Sequence, residues 1–252
     1  MVAKERYLLN ITTTNLNVNK THDFTFRTEF LNLDAEKNYS IALLNYSLWY
    51  AWYNITTANY NFRYVVNGVV KDFTIPAGNY GVSDINSYIQ TKLQANGDSP
   101  TGIDFTGNYN TLRVDMTLEP NYDVDFNIAN TFNALFGFTA ALYENNTGSN
   151  TITSGQSAAN ITNSVDAITI NCSILDTRFN ITNDKTSVCL HQFVPNSGPG
   201  SNLSNTIPSP IFLPISSSGH INSFQVSIRD QAQNLLDLNG EHVSLSLLIK
   251  ED

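Results

Sequence analysis

Four histidines are the residues of this sequence best suited to acid–base or metal chemistry, and they lie on four separate segments, at His22, His191, His220 and His242. A catalytic histidine needs a carboxylate and a nucleophile within hydrogen-bond reach, so the fold would have to bring distant segments together. The sequence contains no G-x-S-x-G, H-E-x-x-H or Walker motif and no Cys/His cluster with zinc spacing. We therefore predict no catalytic residue, no metal ligand and no cofactor, and we expect a protein that is not an enzyme.

Three aspartates could form a calcium site if the fold gathered them. Asp115, Asp123 and Asp125 alternate with apolar neighbours such as Val114 and Val124. Calcium takes six or more oxygen ligands, and no EF-hand loop pattern is present. The alternation favours a solvated strand face over a metal site.

Aromatic side chains are densest in "SLWYAWYNITTANYNFRY", residues 47–64. Exposed aromatic rows bind sugars or bases, although base stacking also calls for basic residues, which are scarce here. The overlapping segment "YSIALLNYSLWY" is apolar on both alternating faces, which is typical of a strand with protein on both sides. Because Trp and Tyr are also enriched at subunit contacts, we predict that this run contributes a subunit interface, with the candidate residues Trp49, Tyr50, Trp52, Tyr53 and Tyr60.

The charge balance argues against two classes of partner. In 252 residues, 13 Lys and Arg face 22 Asp and Glu, and only 14% of residues are charged. A net charge of -9 leaves no basic footprint for phosphate backbones, so we expect no specific nucleic-acid binding. No window approaches ~18 consecutive apolar residues, and the first residues lack the apolar core of a signal peptide. We expect neither a membrane span nor secretion by a signal peptide.

Short alternating segments predict an all-β fold. "DFTFRTEF", "TLRVDMTLE" and "HVSLSLLIK" each place apolar residues at every second position, which is the pattern of a half-buried strand. Asn67-Gly68 separates two such segments as a hairpin turn would. Many short strands with close turn signals indicate an antiparallel β-sandwich or barrel.

One segment has helical spacing instead. Ile85, Tyr88, Ile89 and Leu93 form an apolar stripe with the spacing i, i+3, i+4, i+8. With Ser83 as N-cap and Asn96-Gly97 at the end, the stripe predicts an amphipathic helix over about 84–96. A second short helical turn is predicted in "NTFNALFGF".

Two stretches, 144–164 and 195–210, are poor in apolar residues or broken by Pro and Gly, and we predict them to be long loops. Strand-like segments flank both stretches, so we assign residues 1–252 to one domain with a β-hairpin and helix elaboration at about 60–140. Cys172 and Cys189 fall on opposite faces of their strands, which disfavours a disulfide.

A series of segments occurs in an order that resembles a known viral family. They are "LNLDAEKNYSIALLNYSLWY", "FTIPAGNYGVSDINSYIQTKL", "ALFGF", "DAITINCSIL", "IFLPI" and "INSFQVSIRDQAQNLLDLNGEHVSLSLLIK". The series resembles the penton, or minor capsid, proteins of Polinton-like viruses, adintoviruses and virophages. It extends from about Leu31 to Lys250, nearly the whole chain.

The resemblance implies a single jelly-roll β-sandwich that forms homopentamers at the icosahedral vertices of a virion. Its implied neighbours are trimers of a double jelly-roll major capsid protein, and its implied place of synthesis is the host cytoplasm. An all-β module with exposed aromatic residues could instead be a viral fibre head or a carbohydrate- or receptor-binding β-sandwich. Low charge and abundant Asn, Ser and Thr favour the capsid subunit, because like charges would accumulate around a five-fold axis.

Overall fold

Short strands with one apolar face make up most of the molecule. The computed structural model describes residues 4–13, 23–161, 165–176, 181–182, 185–186, 188–216 and 219–252. The chain divides into two compact units, which we call the split unit (Met1–Trp52 with Val165–Asp252) and the inserted unit (Tyr53–Ser164).

The described elements are mainly strands. In chain order they are β1 (Arg6–Thr12), β2 (Asp23–Leu33), β3 (Tyr39–Trp49), β4 (Asn61–Val66), β5 (Val69–Thr74), α1 (Val82–Ala95), β6 (Ile103–Asn108), β7 (Arg113–Leu118), β8 (Tyr122–Asp125), α2 (Asn133–Phe136), β9 (Leu142–Tyr143), β10 (Thr151–Ser154), β11 (Ile168–Cys172), β12 (Ile181–Thr182), β13 (Lys185–Thr186), β14 (Cys189–Phe193), β15 (Asn202–Thr206), β16 (Leu213–Pro214), β17 (Gly219–Asp230) and β18 (Ser244–Glu251). The strands, the α1 helix and the short α2 turn that the sequence predicted are all present.

Two antiparallel sheets form the body of the split unit. One has the order β1-β18-β3-β15, with β16 also paired to β3, and the other has the order β14-β11-β17-β2. Side chains from both sheets share one core, which includes Ile41 and Leu247 from the first sheet and Ile170 and Phe224 from the second. Two antiparallel sheets that enclose a common core are the predicted jelly-roll β-sandwich.

The position of a strand in its sheet explains its burial pattern. In β18, Leu245, Leu247 and Ile249 are buried and alternate with half-buried residues, because only one face of that strand meets the core. In β11 all five residues are buried, and this strand lies between β14 and β17. The first five residues of β3 are also all buried, as the two-sided apolar pattern of that segment predicted.

The inserted unit has a core of its own. Its sheets have the orders β5-β4-β8-β9 and β10-β7-β6. Phe62, Tyr64, Phe126 and Phe132 are fully buried there, with ring centroids 5.6–6.4 Å from Phe62. The elaboration predicted at about 60–140 falls within this unit, and the assignment of residues 1–252 to one domain stays a prediction.

Helix α1 begins at Val82, slightly before the predicted start, and its N-cap is Gly81. Ser83 as N-cap was therefore wrong. The reason is the carboxylate of Asp84, whose Oδ2 accepts the Gly81 N–H at 2.8 Å and so satisfies a backbone donor one turn back. The predicted apolar stripe is confirmed, with Ile89 and its neighbours one turn away fully buried.

Each of the two predicted long loops contains a short strand. Thr151–Ser154 pairs with β7, and Asn202–Thr206 pairs with β3. Both strands are polar, and β15 buries only Leu203. Backbone hydrogen bonds to a neighbouring strand stabilise these two strands, so they need no alternation of apolar residues. A search for apolar alternation in the sequence therefore missed them.

The two cysteines are free and buried. Cys189 was predicted to face away from the side of Leu190, yet both residues are buried. Burial raises the pKa of the Cys172 thiol to about 12, so this sulfur is protonated at neutral pH.

A polar cluster holds the end of α1 against the β4–β5 hairpin. Asp98 accepts hydrogen bonds from the Tyr64 hydroxyl at 2.7 Å and from Lys71 Nζ at 2.7 Å, and its side chain is 10% exposed. Asn96 Nδ2 in turn donates to the Tyr64 hydroxyl at 2.9 Å. Burial alone would raise the pKa of Asp98, but the hydrogen bonds from Lys71 and Tyr64 outweigh it and hold the pKa below its usual value.

We expect Ile89→Ala to destabilise the inserted unit by about 2–5 kcal/mol, because it removes a fully buried side chain and leaves a cavity. Urea unfolding followed by circular dichroism measures this loss. Gln94→Ala, on the exposed side of the same helix, is the control and should change stability by less than about 0.5 kcal/mol. Equal midpoints for Ile89→Ala and wild type would show that the helix does not contribute to the core.

We expect Asp98→Asn to lower the stability at pH 7 by about 1–3 kcal/mol, because it removes the charge-assisted bond to Lys71. A depressed carboxyl pKa stabilises the fold above the unfolded value of 3.8, and this stabilisation is lost as the pH falls through the lower folded value. The difference between variant and wild type should therefore shrink in urea titrations at low pH. A difference that stays constant at low pH would contradict this assignment, and Glu144→Gln, an exposed carboxylate, is the control.

Candidate subunit interface

One sheet of the split unit carries an outer face that is uncharged except at one end. Alternation places the odd-numbered residues of β18 in the core and its even-numbered residues outside, and the strand register continues this division across the sheet. We call the polar face those outward residues that are neither buried nor at the Arg6–Lys250 end of the sheet: Leu8, Asn10, Thr12, Asn45, Ser47, Trp49, Asn202, Ser204, Thr206, Ser244, Ser246 and Leu248. None of them is charged, and the nearest charges in the register are Arg6 and Lys250 at one end.

Side-chain hydrogen bonds cross the polar face from strand to strand. Ser246 Oγ donates to Asn10 Oδ1 at 2.8 Å, and Ser47 Oγ donates to Asn202 Oδ1 at 3.1 Å. These bonds satisfy part of the polar capacity of the face within the subunit. A partner surface would have to satisfy the remaining donors and acceptors of this face, and each bond made within the subunit leaves fewer of them.

Three apolar side chains lie on the polar face, namely Leu8, Trp49 and the half-buried Leu248. Leu8 is 59% exposed and Trp49 is 41% exposed, although both belong to strands of a well-packed sheet. Interface centres are depleted in charged residues and enriched in aromatic ones. The polar face shares the depletion in charged residues and carries one exposed aromatic ring, so it is a candidate for a contact with another protein.

The structure separates the predicted aromatic set. Tyr50 and Trp52 are buried to 5% and 4% exposure in the core of the split unit, with stacked rings 3.9 Å apart. The backbone of Tyr50 is also held by a hydrogen bond from its N–H to Ser201 O at 2.9 Å. Tyr50 and Trp52 therefore contribute to the core of the split unit.

The other two candidates belong to the inserted unit. Tyr53 is 42% exposed. Tyr60 is half-buried against the core of that unit, and its carbonyl accepts the N–H of Ile75 at 2.8 Å. Trp49 and Tyr53 are thus the members of the set with the most exposed rings, and the interface role of all five residues stays a prediction.

Sequence reasoning found Trp49 but missed the rest of the polar face. The segment "RYLLNIT" carries adjacent Leu8 and Leu9, which blurs the alternation, and β15 lies in a stretch predicted to be a loop. In the sequence, only the alternation of Ser and Leu in β18 indicates a polar outer face. The strand register is needed to show which residues of β1 and β3 lie beside Ser244 and Ser246.

His191 and His242 occupy unrelated environments. His191 lies half-buried beside the rings of Tyr46 and Phe193, at 5.7 and 6.1 Å between centroids, and burial lowers its pKa. His242 Nδ1 lies 2.6 Å from Thr13 O. His22 falls outside the described residues.

The three aspartates also have separate partners. Asp115 accepts from Ser154 at 2.5 Å, and its hydrogen bonds lower its pKa. Asp123 accepts the N–H of Asn145 at 2.9 Å, and Asp125 lies on the same strand. Within the described part of the chain no group of three or more His, Cys, Asp or Glu residues could hold a metal ion. No described helix is long and apolar enough to cross a membrane.

Comparisons with known proteins identify a similar fold among solved structures. No family model matches this sequence, and no curated protein matches it. Among solved structures, the crystal structure of the selenomethionine-labelled mavirus penton protein matches over 99% of this chain and 100% of that chain. The TM-score is 0.50 and the sequence identity is 14%. The two proteins share a fold along their whole lengths.

Proposed function

We propose that this protein is a structural subunit of a viral capsid, which assembles as a homopentameric penton at the icosahedral vertices. The observation that carries the proposal is the end-to-end fold correspondence with the mavirus penton protein, which includes the inserted unit as well as the jelly roll. The ordered sequence segments from about Leu31 to Lys250, which resemble penton proteins, support it independently. The protein then acts in the virion, after synthesis in the host cytoplasm.

A ring of five subunits needs two different contact surfaces on each subunit, because the contacts are heterologous. The polar face supplies one of them. Since it carries no charge, five copies around an axis place no like charges against one another. The exposed ring of Trp49 is the natural anchor of this contact, and Tyr53 is a candidate for a second contact.

The remaining partner in this proposal is the double jelly-roll major capsid protein, which surrounds each vertex. A net charge of -9 does not favour a direct contact with the packaged nucleic acid. A capsid subunit needs a stable scaffold, and two antiparallel sheets around a common core supply one.

We expect Ser246→Glu to weaken pentamer formation by at least about tenfold, because it buries one unpaired carboxylate in each of five contacts. Analytical ultracentrifugation of the purified protein, together with electron microscopy of shells formed with the major capsid protein, measures assembly. Thr91→Glu, on the exposed side of α1, is the control and should assemble as wild type does. A wild-type protein that stays monomeric in solution and is absent from the vertices of assembled shells would contradict the proposal.

The exposed ring of Trp49 also favours a second candidate, a fibre head or a carbohydrate- or receptor-binding β-sandwich module. Under this alternative a glycan array should show specific binding that Trp49→Ala abolishes and Leu8→Ala retains, with unchanged thermal melting in both variants. Because Trp52 is buried, fewer aromatic rings are available to stack on a sugar than the sequence suggested. An array without specific binding would count against this candidate.

A further inference from the structure

A groove of about 790 Å³ opens within the inserted unit, between the first turns of α1 and the β6–β7 hairpin. Its floor includes the apolar residues Phe105, Val114 and Ile161, and its α1 side carries Ser83 and Asn86. Ligand sites in proteins have volumes of roughly 300–1,000 Å³, with apolar linings and a few polar groups. The groove has the size and composition of a binding site.

The backbone of β6 points free polar groups into this groove. Gly107 lies opposite Val114 in the register, and Val114 O accepts the Gly155 N–H on the far side of β7 at 2.9 Å. Because both polar groups of a strand residue point the same way, those of Gly107 point away from β7. At Phe105, which has the same orientation, Asn86 Oδ1 accepts the outward N–H at 2.9 Å. Among the described residues no such bond reaches Gly107 from the groove side.

Gly107 also leaves space on the floor. It follows Ile103 and Phe105 at every second position of β6, and the side chains of those two residues are buried in the core. A Cβ atom placed at Gly107 would meet nothing within 4 Å. The missing side chain is therefore part of the groove volume, next to the open strand edge.

The lining of the groove carries a single positive charge. Arg113 is its one charged lining residue, and it forms no ion pair among the described residues. Nearby carboxylates already have partners, since Asp84 accepts the N–H of Gly81 and Asp104 accepts from Asn86 Nδ2 at 2.8 Å. The inserted unit is acidic as a whole, so a free guanidinium at this place favours an occupant with a carboxylate.

The rim presents apolar side chains to solvent. Tyr109 is 92% exposed and Leu112 is 67% exposed. Leu112 has a left-handed backbone with φ 56°, which is strained for a bulky residue, and the N–H of Ala159 donates to its carbonyl at 2.8 Å. The hairpin thus holds two large apolar residues in water beside the groove, where an occupant would cover them.

We propose that this groove binds an extended segment of a partner protein, which adds a strand to the free edge of β6 at Gly107. Alternate apolar side chains of the segment fill the floor over Phe105 and Val114, and an Asp or Glu of the segment pairs with Arg113. Backbone pairing supplies affinity in such strand addition, and the side-chain pockets supply specificity. A peptide fits better than a lipid because the edge offers backbone donors and acceptors. The inference stands on the groove alone and does not rest on the capsid role.

A displayed library of random peptides of about eight residues, selected on wild-type protein and counter-selected on Gly107→Leu, tests this proposal. The leucine enters open space at an ordinary φ, so the fold should be retained while the groove is filled. Gly148→Leu, a glycine of the same unit with equally open surroundings outside the groove, is the matched control. Thermal melting checks that each variant folds.

Enriched peptides should alternate apolar residues and carry Asp or Glu. Fluorescence anisotropy of the synthetic peptides should then show at least about tenfold weaker binding to Gly107→Leu, about fivefold weaker binding to Arg113→Gln and unchanged binding to Gly148→Leu. The proposal is overturned if nothing is enriched above the counter-selection, if the peptides bind Gly107→Leu as well as wild type, or if the enriched peptides are basic. Arg113 is exposed, so Arg113→Gln decides the charge contribution even if Gly107→Leu fails to fold.

Discussion

The split unit depends on the antiparallel pairing of β3 with β18. This pairing aligns Ile41 with Ile249 and Leu43 with Leu247, and so places apolar side chains of both strands in one core. β1 then adds to the other edge of β18, and β15 adds to the other edge of β3. Because these contacts join residues far apart in the sequence, their formation has to overcome a large loop-closure entropy.

The same pairing determines the outer surface. Once the odd-numbered residues of β18 are buried, Ser244 and Ser246 must face outward, and the register aligns them with Asn, Ser and Thr on the neighbouring strands. An uncharged hydrogen-bonded face costs less to desolvate than a charged one. Under the capsid role proposed above, such a face can be buried in every subunit contact without bringing like charges together.

The inserted unit follows β3 and precedes β11, and its aromatic core around Phe62 contains no residue of the split unit. Its structure is therefore constrained by its own packing, which leaves the edge of β6 partly unpaired. Asn86 closes that edge at Phe105, and the absence of a side chain at Gly107 leaves the next position open. The two proposals therefore concern separate parts of the chain, with peptide binding in the inserted unit and assembly through the split unit.

The sequence by itself determined the all-β class, the α1 stripe of Ile85, Ile89 and Leu93, and the hairpin at Asn67-Gly68, because these features depend on local periodicity and turn chemistry. The tertiary structure alone decided which residues of the aromatic run are buried. Trp49 and Tyr50 are neighbours, yet one faces solvent and the other stacks on Trp52, since burial depends on which surface is covered by distant strands. The strands β10 and β15 likewise form through backbone pairing with strands distant in the sequence. Their polar side chains lack the apolar alternation that would have predicted a strand.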